Sequence, residues 1–169
     1  IVDPPPLAVD PTTHTDITCN GFADGTATVV NPSGGTPFSG GTYSYTWNTV
    51  PPQNTQTVTG LTPGIYFCII SDSLDCNVAT TTVTVLDPPP LAVDPTTHTD
   101  ITCNGFADGT ATVVNPSGGT PFTVGSPYSY SWNTSPVQTT QTAVGLPPGT
   151  YFCIISDSNL CPITADSVT

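Results

Sequence analysis

DPPPLAVDPTTHTDITCNGFADGTATVVNPSGGTPF, residues Asp3–Phe38, returns without a change as Asp87–Phe122. These 36 consecutive identities at an offset of 84 make the chain a tandem repeat before any secondary structure is considered. One insertion between Phe38 and Tyr43 raises the offset to 85. Thereafter Trp47 corresponds to Trp132, Tyr66 to Tyr151, Cys68 to Cys153 and Cys76 to Cys161. The chain is accordingly divided into repeats at 1–86 and 87–169. Ile1 and Val2 share the phase of Val85 and Leu86, and Thr169 shares that of Thr84. We expect from this phase a window onto a longer array.

Within one repeat no segment has helical periodicity, and Thr-rich alternation points to strands. Three prolines at Pro4–Pro6 favour a stiff polyproline linker, followed by a short edge strand at Leu7–Val9. Pro11 is expected to interrupt that strand, which resumes at His14–Thr18. Asn20-Gly21 and Asp24-Gly25 are turn signals. In Gly25–Asn31, Ala27 and Val29 alternate with Thr26 and Thr28, the pattern of a half-buried strand. Tyr43, Tyr45 and Trp47 share one face of the next strand. A polar strand at Gln56–Thr59 then leads to a central strand at Ile65–Ser71 and a last one at Ala79–Leu86. About seven short strands with turns between them predict an all-β Greek-key sandwich, immunoglobulin-like or fibronectin-type.

Leu61-Thr62-Pro63-Gly64-Ile65-Tyr66, repeated at Leu146–Tyr151, resembles the tyrosine corner of such sandwiches. Tyr66 and Tyr151 are therefore read as structural, their hydroxyls bonding to backbone, with ligand binding as the alternative. Trp47 and Trp132 are read as core residues rather than sugar-stacking platforms. Tyr43 and Tyr45, beside a Gly-rich loop, are the candidates for a sugar contact.

The chain has 169 residues, 12 Asp, no Glu, and neither Lys nor Arg, for a formal net charge of -12. With no cation to neutralise phosphate, nucleic acid and anionic membrane are excluded as partners. A Schiff-base lysine or a phosphate-binding P-loop lysine is excluded equally. No apolar run approaches the roughly 20 residues of a membrane span. His14 and His98 are equivalent copies in Thr-rich strands with no nucleophile beside them, so no enzymatic activity is expected. Six cysteines without cations or a catalytic histidine suit an oxidising compartment.

Cys19-Asn20-Gly21, Asp24-Gly25-Thr26-Ala27, Ser33-Gly34-Gly35-Thr36-Pro37, Tyr45-Thr46-Trp47, Gly60-Leu61, Pro63-Gly64, Tyr66 and Asp72–Cys76 occur in that order. This signature resembles the SprB-type repeat of very large surface adhesins of gliding and related bacteria. The second repeat carries it at Cys103, Asp108-Gly109, Ser117–Pro121, Trp132, Gly145-Leu146, Tyr151 and Cys161. The resemblance implies an exported protein of the bacterial cell surface. Its partners would be neighbouring repeats of the same chain, identical chains in a filament, or surface polysaccharide. Cys68 and Cys153 are additions to the family pattern, as are the variable loops after Phe38 and Phe122.

Three cysteines per repeat cannot all pair within it. The family habit pairs Cys19 with Cys76. Against this, a strand of seven residues rises about 23 Å, whereas bridged Cα atoms lie at most about 7 Å apart. An immunoglobulin-like topology brings Cys19 nearer Cys68. A link between Cys19 and Cys161, stapling one repeat to the next, is the third arrangement. Cys103 and Cys153 complete the set of candidates. If nothing crosses the junction, Cys68 is simply a small buried hydrophobe.

Hard oxygen ligands suit calcium, and Asp72, Asp75, Asp87, Asp94 and Asp100 are the candidates, near one turn and around the junction. The competing reading is a solvated acidic face whose aspartates cap turns. No other cofactor is implied. Ser73 and Ser167, in Asp-Ser-Leu and Asp-Ser-Val triplets, are candidates for bacterial O-glycosylation. Asn133-Thr134-Ser135 matches an N-glycosylation sequon that its counterpart Asn48-Thr49-Val50 lacks, which argues for coincidence. The expected role is a stalk segment of an extracellular adhesin or surface filament. The alternatives are a self-assembling fibre subunit and a carbohydrate-binding module.

Overall fold

The computed structural model describes residues 3–169. It divides into two compact units, Ile1–Asp87 and Pro88–Thr169. Ile1 and Val2, assigned above to the phase of a last strand, lie outside the described residues.

In the first unit, β1 (Ala8–Thr15), β2 (Gly25–Ser33) and β4 (Thr57–Leu61) form an antiparallel sheet in the order β1-β2-β4. A second sheet has the order β3 (Ser44–Trp47), β6 (Cys68–Ser71), β7 (Asn77–Ala79). β5 (Gly64–Tyr66) pairs with β8 (Val83–Val85). The sheets close on one core because each strand turns alternate side chains inward. Ala27 and Val29 of β2, Trp47 of β3, Val58 of β4 and Ile70 of β6 are all buried there. The indole N–H of Trp47 donates to the Thr55 carbonyl at 2.8 Å, satisfying the one polar atom that burial of the ring brings with it.

The second unit repeats the plan. β9 (Ala92–Thr99), β10 (Gly109–Ser117) and β12 (Thr142–Leu146) make one sheet, and β11 (Ser129–Trp132), β13 (Cys153–Ser156) and β14 (Pro162–Thr164) the other. Its core, with Ala111, Val113, Trp132, Cys153 and Ile155, is drawn from its own residues. Each unit is an all-β sandwich of antiparallel sheets, as expected from the run of short strands.

Three expected strand boundaries are corrected. Pro11 does not interrupt β1, which runs unbroken from Ala8 to Thr15. β1 is an edge strand, and the register shift between Asp10 and Thr13 absorbs the missing donor. The expected central strand Ile65–Ser71 is two strands, β5 and β6, parted at Phe67. The side chain of Asn48 takes the place of a ladder there, accepting from the Phe67 N–H at 2.9 Å and donating to the Ile65 carbonyl at 3.1 Å. The last strand, expected at Ala79–Leu86, is likewise split into β7 and β8. At the break the hydroxyl of buried Thr80 accepts from the Cys68 N–H at 2.9 Å.

Candidate functional site

The corner residues fix the crossing between sheets. The Tyr66 hydroxyl donates to the Thr62 carbonyl at 2.9 Å, and that of Tyr151 to the Pro147 carbonyl at 2.8 Å. Both hydroxyls are thereby committed to backbone four residues upstream, the geometry of a tyrosine corner.

The burial of Asp72, read above as a calcium candidate, and the whole role of Asp157 are what sequence reading missed. Both carboxylates are buried, at 1% and 0% exposure. Asp72 accepts from the N–H groups of Thr36 at 2.8 Å, Leu74 at 3.0 Å and Cys76 at 2.9 Å. Asp157 does the same with Thr120, Asn159 and Cys161 at 2.7, 3.0 and 3.0 Å. Bonds to the ionised form, that from Thr36 foremost, hold Asp72 below the usual carboxylate range. Gly35 makes room for the carboxylate: at φ +57 a β-carbon would stand 2.6 Å from its oxygen. Ser-Gly-Gly-Thr followed 36 residues later by Asp was the available signal, legible only once the two turns are known to meet.

This geometry bears on the calcium candidates. The Asp72 carboxylate is taken up by the protein's own N–H groups. Asp87 accepts from Asn20 Nδ2 at 3.1 Å and the Gly21 N–H at 3.0 Å, and Asp94 from Asn115 Nδ2 at 2.8 Å. Asp75 lies in a turn at φ 61, and Asp100 faces His98 at 3.6 Å. Among the described residues no group of three or more His, Cys, Asp or Glu side chains is placed to hold a metal ion. Four of the candidates lie in turns and loops and Asp94 lies in β9, and among the described residues the fold does not gather them into such a group.

The cysteines fall into three kinds. Cys68 and Cys153 are buried thiols, and Cys76 and Cys103 are exposed thiols. Cys19 and Cys161 are disulfide-bonded. Neither partner expected for Cys19 within its own unit is engaged, since both Cys68 and Cys76 are free. The Cys19–Cys76 and Cys19–Cys68 pairings are therefore corrected. Burial pushes the Cys68 thiol up to about 11 and raises Cys153 likewise. The charge of Asp72, before any other cause, raises Cys76.

Tyr43 and Tyr45 meet in an open recess of about 600 Å³ with Asn31, Asn54 and Gln56 on its walls. The Tyr43 hydroxyl donates to the Gly34 carbonyl at 2.9 Å, and burial raises Tyr45 above the usual phenol range. Their counterparts Tyr128 and Tyr130 are buried, at 5% and 6% exposure. Ser73 and Ser167 are exposed, and the Ser73 hydroxyl donates to the Thr36 carbonyl at 2.7 Å. Asn133 uses both ends of its amide on Phe152 and Thr150, as Asn48 does on its own neighbours. Among the described residues no helix is long and apolar enough to cross a membrane.

Both sandwiches match one family model, described as the SprB repeat, over residues 12–51 and 96–137. The chain carries two SprB repeats. SprB repeats are structural, adhesive units of extracellular, cell-surface proteins associated with gliding, and they are not catalytic domains. No curated protein matches the chain. Among solved structures, it is similar to chicken CNTN1 FN1-FN3 domains at 10% identity and a TM-score of 0.35, covering 98% of this chain and 67% of that one.

Proposed function

We propose that the two SprB repeats are spacer modules of an adhesin stalk, setting the distance between a bacterial surface and binding domains carried elsewhere. The observation that carries this is the pair of separate cores, each closed within one repeat. Modules that share no core add in series without altering one another. The absence of Lys and Arg leaves no cleavage site for trypsin-like proteases, an advantage outside a cell. Small-angle scattering on chains of two, four and six repeats is the test. A maximum dimension that grows by a constant step per repeat supports the reading, and a compact particle growing only as the cube root of mass contradicts it.

The Tyr43–Tyr45 recess supports a second reading, contact with neutral polysaccharide, because aromatic faces and amides are what a sugar ring stacks on and bonds to. Tyr45→Ala should abolish retention on an immobilised glycan if the recess binds it. Equal retention of wild type and variant rejects the site.

A further inference from the structure

We propose that the loop entering β3 or β11 decides which repeats bind a neutral sugar chain, being open over Tyr43 and Tyr45 and closed over Tyr128 and Tyr130. The proposal rests on the polysaccharide reading of the recess and adds the device that admits or excludes the ligand.

Tyr43, Tyr45 and Trp47 alternate along one face, and Tyr128, Tyr130 and Trp132 repeat the row. Both tryptophans are buried. The leading tyrosines are pinned alike: the Tyr43 hydroxyl donates to the Gly34 carbonyl and that of Tyr128 to the Gly118 carbonyl, each at 2.9 Å. Yet Tyr128 and Tyr130 are buried, whereas Tyr43 and Tyr45 are half-buried and line the open recess. The placement of the rings is shared and their cover is not.

The loop supplies the cover. At its base the Phe38 N–H donates to the Thr42 carbonyl, and the Phe122 N–H to the Pro127 carbonyl, both at 2.9 Å. Between these points lie Ser39-Gly40-Gly41 in the first repeat and the longer Thr123-Val124-Gly125-Ser126 in the second. Gly40 and Gly41, at φ 88 and 76, turn the short loop tightly back on Phe38. A β-carbon on Gly41 would meet no atom within 4 Å, so this wall of the recess is bare. Ser126 precedes Pro127 where Gly41 precedes Thr42. Its hydroxyl donates to the Tyr128 carbonyl at 2.8 Å and lies beside Tyr130. One added residue and its side chain thus account for the covered rings.

The open recess suits an uncharged polyol. Its volume of about 600 Å³ is that of an ordinary ligand site, and its two aromatic rings give a pyranose face something to stack on. Gln56 donates through Nε2 to the Val29 carbonyl at 2.9 Å, and Asn31 through Nδ2 to Asp10 at 2.8 Å. Each side-chain amide is oriented by that bond. Among the described residues neither amide oxygen has a donor, which leaves both as acceptors for sugar hydroxyls. The chain has no Lys or Arg, and the charge bonded to this wall is the Asp10 carboxylate. Uronic-acid and sulfated chains are therefore repelled, and a neutral hexose chain is not.

Exchanging the loops within the 169-residue chain, its tyrosine rings labelled with carbon-13, tests this. One variant carries Ser-Gly-Gly-Thr in place of Thr123–Pro127, and the other carries Thr-Val-Gly-Ser-Pro in place of Ser39–Thr42. Relaxation of the ring protons by a neutral gadolinium chelate reads the cover without any sugar. Titration with cellohexaose, maltohexaose and laminarihexaose, and with hexagalacturonate as the acidic control, reads binding ring by ring. In the wild type a neutral hexasaccharide should shift Tyr43 and Tyr45 and leave Tyr128 and Tyr130 unmoved. The short loop in both repeats should expose both pairs and make both shift. The long loop in both should cover them and abolish the shifts. Ser126→Gly, which keeps the loop length, should expose Tyr130 in part. Relaxation that does not follow the loop overturns the proposal, while the polysaccharide reading survives if Tyr43 and Tyr45 still shift. Relaxation that follows the loop, with no ring moved by any neutral hexasaccharide, overturns the polysaccharide reading and the proposed ligand with it. Shifts as large with hexagalacturonate contradict the ligand class.

Discussion

Val85 lies over Gly25 so closely that a β-carbon on the glycine would stand 2.7 Å from the valine Cγ1. At Gly109, the corresponding position, the nearest atoms to such a carbon are the carbonyl oxygens of Leu146 at 3.0 Å and Thr99 at 3.3 Å and the Ile101 Cγ2 at 3.5 Å. Backbone crowding is common to both sites. Gly25→Ala should destabilise its repeat by about 1–3 kcal/mol, the usual cost of overpacking. Amide exchange at Ala27 reads that repeat in the intact chain. Unchanged exchange at Ala27 would show that Val85 does not pack on Gly25 as described.

The corner tyrosines should each contribute the net value of one hydrogen bond, about 1 kcal/mol. Tyr66→Phe and Tyr151→Phe remove the bonds to Thr62 and Pro147 and leave the rings in place. Denaturant titration of each variant should give matching losses. A loss at one site only would mean that the two corners differ in their packing.

Thiol chemistry should sort the cysteines by burial. Cys103 and Cys76 are exposed and should alkylate in the native protein, Cys76 more slowly because the charge of Asp72 disfavours its thiolate. Cys68, pushed up to about 11 by burial, and Cys153 should react only after unfolding. Mass spectrometry of the alkylated intact chain would count two native and four denatured additions without reductant, given free thiols at these four positions. Native labelling of Cys68 would contradict the core.

Acid should weaken the fold in a defined window. Asp24 and Asp108 are lowered chiefly by the hydroxyls of Thr18 and Thr102, and Asp72 by the Thr36 N–H, all from an ordinary value of 3.8. A carboxylate whose folded pKa is depressed contributes stability that is complete above the unfolded value and is lost as pH falls through the folded one. Thermal stability should therefore hold steady down to about pH 4 and decline below it. Asp72→Asn should flatten part of that decline. A midpoint that falls already between pH 7 and 5 would assign the acid sensitivity to other groups.

How much of this was readable in the amino acids differs by element. The alternation of Ala27 and Val29 with threonines, the Leu-x-Pro-Gly-x-Tyr corner and the buried tryptophans were legible because each is a local pattern with one physical meaning. The break at Phe67 was not, since it depends on Asn48, 19 residues away, substituting for a strand. Asp72 looked like a surface ligand because a carboxylate in a turn is ordinarily solvated. Its burial needed the Gly35 turn brought against it from the far side of the unit. The aromatic pair shows the same limit. Tyr43 and Tyr45 border an open recess, whereas Tyr128 and Tyr130, in nearly the same local sequence, are covered.

Independence of the repeats is the claim on which the stalk rests, and single-molecule extension of the chain in reductant tests it most directly. Each repeat of about 85 residues should yield in its own event, releasing roughly 28 nm of contour length less its folded span, at about 3.3 Å or more per residue. Two such steps of near-equal size are the result this account predicts. One cooperative step spanning both repeats would contradict it.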